Sequence, residues 1–290
     1  MFTKNFKKEK IQANGIEINT VHGGKGEPLL LLHGYPQTHV MWHKVAPGLA
    51  EKFYVVCPDL RGYGDSSKPK GIDDHSNYSK RTMGKDMIEV TAKLGFDSFF
   101  AAGHDRGGRV LHRMCLDYPE KIKKACVMDI APTYHMFKTA DQNFATGYYH
   151  WFFLIQPGGL PEKMIGNDPE YYLTEKLKRW SGKNKNFDPK AVKEYVRCFS
   201  DPAAIHASCE DYRAAASIDL EHDEEDMDKK ITCPLLVLWG NQGFVHRTYD
   251  VIETWKQRAD NVTGKSLNCG HFVPEECGED TYNELVSFFD

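Results

Sequence analysis

The run AAGHDRGGRV, residues 101–110, places one carboxylate and two guanidiniums within five positions: Asp105, Arg106 and Arg109. An apolar stretch ends there, a tight turn carries Asp105, and a helix opens with both arginines in its first turn. A helix N-terminus favours anions, and each cation placed there costs roughly 0.3–1 kcal/mol. Two permanently charged, fork-shaped groups in that position suit a bound carboxylate, and Gly107 and Gly108 leave space beside them. An aspartate at the turn could displace a leaving group from saturated carbon, giving an ester. Water would then cleave that ester at the aspartyl carbonyl with a histidine as base. Halide and epoxide oxygen are the leading candidates for the leaving group; serine in that position would suit acyl transfer instead. His271, in NCGHF near the C-terminus, is the candidate base.

Several elements must hold these residues in place. Asn14-Gly15 between β-friendly segments signals a hairpin. LLLLHG, FYVVCPDL (53–60), DSFFAAGHD (97–105), KKACVMDIAP (123–132) and CPLLVLWG (233–240) read as buried strands. Met83, Met87, Val90 and Leu94 recur at four, three and four residues, one stripe of an amphipathic helix. Buried strands alternating with such helices predict a mostly parallel sheet covered on both faces. The alternation stops over residues 136–230, an aromatic-rich, helix-compatible stretch read as a cap inserted before the last two strands. Residues 1–135 and 231–290 then form the two parts of the core. The acidic run Glu221–Asp228 is expected to be a solvated helix or linker face.

Composition narrows the function. A net charge of -4 lacks the basic footprint of a nucleic-acid binder. No apolar run approaches the roughly 20 residues needed to cross a bilayer, and the basic N-terminus lacks the apolar stretch of a signal peptide. The eight cysteines show neither CxxC pairs nor zinc-ligand spacing and are read as reduced thiols. Asn77-Tyr78-Ser79 and Asn261-Val262-Thr263 match the glycosylation sequon, which matters only in a secreted chain. These features predict a cytoplasmic protein without a zinc site and with neither nucleic acid nor membrane as partner.

Gly103-His104-Asp105-Arg106-Gly107 fits the G-x-nucleophile-x-G elbow of α/β-hydrolases, with Asp in place of Ser. Alone, the pattern more often marks a helix-capping Asp; three features at the right places change that weighting. His33-Gly34-Tyr35-Pro36 follows the LLLL strand, where this fold draws one oxyanion-hole N–H; the donors would be Tyr35 and Arg106. DLRGYGDS follows the next strand and is no phosphate loop. His271 lies after the last expected strand, where the fold puts its base. Many such enzymes carry the acid in a W-G-x-x-D loop, but Trp239-Gly240-Asn241-Gln242-Gly243 has no carboxylate. Asp129 is the natural substitute, holding the imidazole tautomer, and Asp250 is the lesser rival.

On HGYPQT, DLRGYGDSSKP, GHDRGGRVLHRM, MDIAPT, YYHWFFLIQP, DYRAAASIDL, WGNQG and NCGHF the chain resembles the fluoroacetate (haloacetate) dehalogenases over essentially its whole length. The D-R-x-x-R element is the specific one, since haloalkane dehalogenases and epoxide hydrolases usually have Trp just after the nucleophile. The resemblance implies that Arg106 and Arg109 clamp a substrate carboxylate and that His150, Trp151 and Tyr212 surround the departing halide. It also implies an α/β-hydrolase fold with a mostly parallel eight-stranded sheet, a small-molecule haloacid substrate, and a homodimer without metal or other cofactor. The expected activity is hydrolysis of fluoroacetate or chloroacetate to glycolate and halide. The alternative is an epoxide hydrolase with the same Asp-His-Asp set.

Overall fold

The computed structural model describes residues 2, 5–183 and 187–290. Its eight strands are β1 (Phe6–Ala13), β2 (Ile16–Gly24), β3 (Pro28–Leu32), β4 (Tyr54–Pro58), β5 (Phe99–His104), β6 (Ile122–Met128), β7 (Leu235–Gly240) and β8 (Val262–Leu267). They form one sheet in the order β1-β2-β4-β3-β5-β6-β7-β8. The first two junctions are antiparallel and the remaining five parallel. Asn14 and Gly15 both take positive φ, 47° and 79°, as the tight hairpin between β1 and β2 requires.

The helices that matter to the site are α1 (Lys80–Lys93), α2 (Arg106–Asp117), α3 (Tyr149–Phe153), α4 (Pro169–Trp180) and α5 (Pro189–Phe199), with α6 (Pro202–Ala215), α7 (Ile218–Glu225), α8 (Val273–Glu276) and α9 (Gly278–Phe289). Ser79 caps α1 by accepting from the Thr82 N–H, and Met83, Met87 and Val90 are fully buried along its inner face. Between β6 and β7 the described chain is helical, with eight helices from Thr133 to Glu225. This insertion ends at the core strand β7, where Leu235–Leu238 resume the buried apolar pattern. Among the described residues no helix is long and apolar enough to cross a membrane.

The acidic run departs from its expected solvated role. Glu221, Glu224 and Glu225 are exposed, but Asp223 and Asp226 are buried. Arg113 on α2 forms ion pairs with both, at 3.9 Å to Asp223 and in closer contact with Asp226. The Arg258 guanidinium donates to the Asp226 carbonyl at 3.1 Å. Two buried guanidiniums demand counter-charges, and α7 with the residues following it supplies them from one face.

The parallel strands bring four chain segments to one edge of the sheet. The loops after β3, β5, β6 and β8 carry Tyr35, Asp105, Asp129 and His271 respectively. Crevices outside the carboxyl ends of parallel strands are where open α/β sheets bind ligands.

Candidate active site

Asp105 is the sole residue between β5 and α2. Its backbone sits at φ 46° and ψ -115°, a sparsely populated conformation for a non-glycine residue. Close packing around the turn enforces it. A Cβ at Gly103 would lie 2.5 Å from the Gly107 carbonyl oxygen, and one at Gly107 would lie 2.4 Å from that of His33. The glycines therefore let α2 start directly against β5 and the β3 loop, and the turn pushes the Asp105 side chain off the sheet edge.

The Asp105 carboxylate accepts the Tyr35 N–H at 2.9 Å through Oδ2. Burial works to raise its pKa. Opposing this, His271, His104, Arg109 and Arg106 hold the carboxyl below the usual range, so it is anionic at neutral pH. Asp129, also at positive φ (50°), points one carboxylate oxygen at each of two partners. Oδ1 accepts the Gly240 N–H at 3.0 Å, and Oδ2 bonds His271 Nδ1 at 2.6 Å. Burial alone would depress the His271 pKa, but the bond to Asp129 and the Asp129 and Asp105 charges raise it overall. Nε2 of His271 is buried without a partner among the described residues. Asp250, by contrast, caps the helix Val251–Lys256 by accepting the Glu253 N–H at 3.2 Å.

The two arginines are not equivalent. Arg106 is fully buried and lies bidentate on Asp211 of α6. Nε bonds Oδ2 at 2.9 Å, and Nη2 bonds Oδ1 at 2.7 Å and the Asp211 carbonyl at 2.8 Å. Burial would lower its pKa, but Asp211 raises it. Only Nη1 lacks a partner. Asp211 is shared with Lys80 and with the Tyr63 hydroxyl, which donates at 2.6 Å. Arg109 forms no ion pair among the described residues. Its Nη1 donates to the Ala131 carbonyl at 3.0 Å and to Thr133 Oγ1 at 2.9 Å, and Nε is unpartnered. Burial, then the Arg106 charge, lowers its pKa.

Cap aromatics close the site. The Tyr212 ring centroid lies 4.2 Å from the Arg106 guanidinium carbon, and Trp151 lies 4.7 Å from that of Arg109. His150 from α3 stacks parallel to Tyr35 at 6.4 Å and meets Tyr212 edge-on at 5.5 Å. Burial, then the charge of Lys176, holds His150 well below its ordinary pKa, so the ring is neutral and carries one N–H. Its Nδ1 has no protein partner. Asp105, His271, Asp129, Arg106, Arg109, His150, Trp151, Tyr212 and Tyr35 thus converge from separate loops and from the cap on one buried locus.

A cavity of about 330 Å³ approaches this locus between cap and core. His271, Trp180 and Tyr148 are among its lining, Arg179 and Arg247 give its wall positive charge, and burial pushes the pKa of Lys176 beside them down to about 7. Three contributors carry no recognisable pattern in the sequence. His104 hydrogen-bonds the His271 carbonyl at 2.7 Å, and burial, then His271, lowers its pKa to about 3. Trp180 places its ring 4.6 Å from His150 and 5.4 Å from His271. Asp211 stands beside Tyr212 in DYRAAAS, but its partner Arg106 is remote in sequence, so no spacing betrays the pair.

Residues 27–276 match the family model of the α/β-hydrolase fold. A fluoroacetate dehalogenase from Burkholderia sp is 45% identical over 98% of this chain and 93% of its own. A soluble epoxide hydrolase from Corynebacterium sp. (strain C12) is 35% identical over 95% of this chain and 94% of its own. The solved structure of an α/β hydrolase from Nostoc sp PCC 7120 superposes with a TM-score of 0.97 at 58% identity, covering 98% of each chain.

Proposed function

The chain belongs to the α/β-hydrolase family and, within it, to the fluoroacetate dehalogenases, and on that premise we propose that it hydrolyses haloacetates to glycolate and halide. The observation that carries the reading is a strained, anionic Asp105 beside Arg109, a buried cation that forms no ion pair among the described residues. A substrate carboxylate supplies that missing charge, bonding Arg109 Nε and Arg106 Nη1. With its carboxylate so held, the α-carbon faces Asp105.

Asp105 Oδ attacks the α-carbon, the carbon–halogen bond breaks, and the halide leaves with the bonding pair. His150, the Trp151 indole N–H and the Tyr212 hydroxyl are the donors that would receive it. Fixed donors aimed at developing charge are usually the largest catalytic contribution. Ester formation erases the Asp105 charge, one of the influences that raise the His271 pKa. The imidazole thereby becomes available as a base just when water must be deprotonated. Its Nε2 takes a proton from that water, whose oxygen adds to the Asp105 carbonyl. The oxyanion so formed is stabilised by the Tyr35 N–H, already bonded to the carboxylate, and by the N–H of Arg106. Asp129 holds the imidazolium until collapse breaks the bond from the Asp105 carbonyl carbon to the glycolate oxygen; that oxygen takes the imidazolium proton, and the carboxyl proton left on Asp105 is lost to solvent.

A second reading, epoxide hydrolysis with the same residues, is favoured by buried Tyr148 and Tyr212 near the nucleophile and by the 35% identical epoxide hydrolase. A halide-release panel on fluoro-, chloro- and bromoacetate and 2-fluoropropionate, run beside styrene oxide, separates the two. Release from haloacids with inert styrene oxide supports dehalogenation; diol formation with no halide release overturns it. The proposal includes a cytoplasmic homodimer, tested by sedimentation and by fractionation of the native cells.

A further inference from the structure

We propose that Cys269 and Cys277 are a redox modification site, closing reversibly into a disulfide that lowers turnover by displacing the His271 loop. The inference rests on His271 being the base of the reaction above. All eight cysteines are free thiols, yet these two place their sulfurs 2.9 Å apart. Cys269 is buried two residues before His271, and Cys277 is partly exposed at the junction of α8 and α9.

The segment between them folds back on itself around one carboxylate. Glu276, next to Cys277, accepts the Gly270 N–H at 2.9 Å, the Phe272 N–H at 3.0 Å and the Gly182 N–H of the cap at 2.7 Å. The His271 N–H donates to the Trp180 carbonyl at 2.9 Å. A shift at either cysteine therefore acts on a chain segment bonded tightly on both sides of the imidazole. A disulfide has its sulfurs about 2.05 Å apart, so closure requires an approach of roughly 0.9 Å.

The accessible thiol initiates. The Cys277 thiolate attacks a low-molecular-weight disulfide such as oxidised glutathione, forming a mixed disulfide and expelling one glutathione thiolate. Cys269, buried with its sulfur 2.9 Å from that of Cys277, is placed to serve as the resolving thiol. It gives up its proton, attacks the Cys277 sulfur of the mixed disulfide and expels the second glutathione. Two cysteine thiols are oxidised and one glutathione disulfide is reduced to two thiols. Cys115 and Cys233 are also neighbours, but Cys233 precedes the opposite end of β7 from the site, so they serve as an internal control.

The test equilibrates the full chain with oxidised glutathione, then caps free thiols, maps linked peptides by mass and measures halide release on the same samples. The expected result is a Cys269–Cys277 crosslink, with kcat lowered about tenfold at unchanged KM, as a sub-ångström displacement of a catalytic group would give. Dithiothreitol restores the rate, and Cys277→Ser retains basal activity but loses the response. Absence of this crosslink, linkage of Cys115 to Cys233 alone, or complete crosslinking with unchanged kcat overturns the proposal. Mapping needs no substrate, so a chain inert towards every haloacid refutes the functional reading, and control of turnover with it, while the crosslink result stands.

Discussion

Arg109→Leu and Arg106→Leu should fail in different ways, because the proposed function commits the first guanidinium to substrate while Asp211 commits the second largely to the fold. Arg109 has no carboxylate partner, and its Nε faces no protein acceptor. A hydrogen bond to a charged group contributes about 1.5–3 kcal/mol. At 1.36 kcal/mol per decade, kcat/KM for chloroacetate should fall about tenfold to 150-fold in Arg109→Leu. The loss should shrink for neutral chloroacetamide. Its effect on folding is the loss of the bonds to Ala131, Thr133 and Met136 and of the Trp151 contact, offset by no longer burying a cation that has no ion pair. Arg106→Leu instead removes one member of a buried pair and leaves the Asp211 carboxylate to Lys80 and Tyr63. Breaking such a pair destabilises by about 3–5 kcal/mol. Urea denaturation and steady-state halide release on both variants provide the comparison. The reasoning fails if Arg109→Leu keeps kcat/KM within about twofold of the parent, or if Arg106→Leu is the more stable variant.

Turnover should rise with pH along a limb set by His271, because only the neutral imidazole can accept a proton from water. Against burial, Asp129 and Asp105 raise the imidazole pKa in the free enzyme, and the ester erases the Asp105 contribution, so the limb in kcat should lie at lower pH than the titration of His271 in the free enzyme. Asp129→Asn removes the raising bond and charge, so the limb should move to lower pH while the plateau falls by up to ~10⁴-fold through loss of the correct tautomer; a pH–rate profile of kcat decides both. Gly107→Ala would set a Cβ 2.4 Å from the His33 carbonyl oxygen. It should either unfold the chain or displace the elbow, losing more than about 3 kcal/mol in chemical denaturation.

The strands were legible because parallel, doubly covered strands are continuous apolar runs, as in PLLLL and LLVLWG. The elbow was legible because its chemistry is local: Gly103, Asp105 and Gly107 lie within one turn. Asp129 required knowing which strand ends lie side by side, and the neighbouring β6 and β7 supply that, joining Asp129 to Gly240. Asp211 and Trp180 were out of reach, since their roles come from how the cap helices settle on the core. The acidic run misled because its composition suggests solvent, while burial there is decided by Arg113 and Arg258, remote in sequence.

Covalent catalysis by Asp105 is tested most directly by a single turnover of chloroacetate in heavy-oxygen water, with enzyme in excess. The account predicts that the first glycolate carries ordinary oxygen taken from Asp105, and that the label enters the Asp105 carboxylate, read by peptide mass. Label in the first-turnover glycolate, with Asp105 unlabelled, would contradict it.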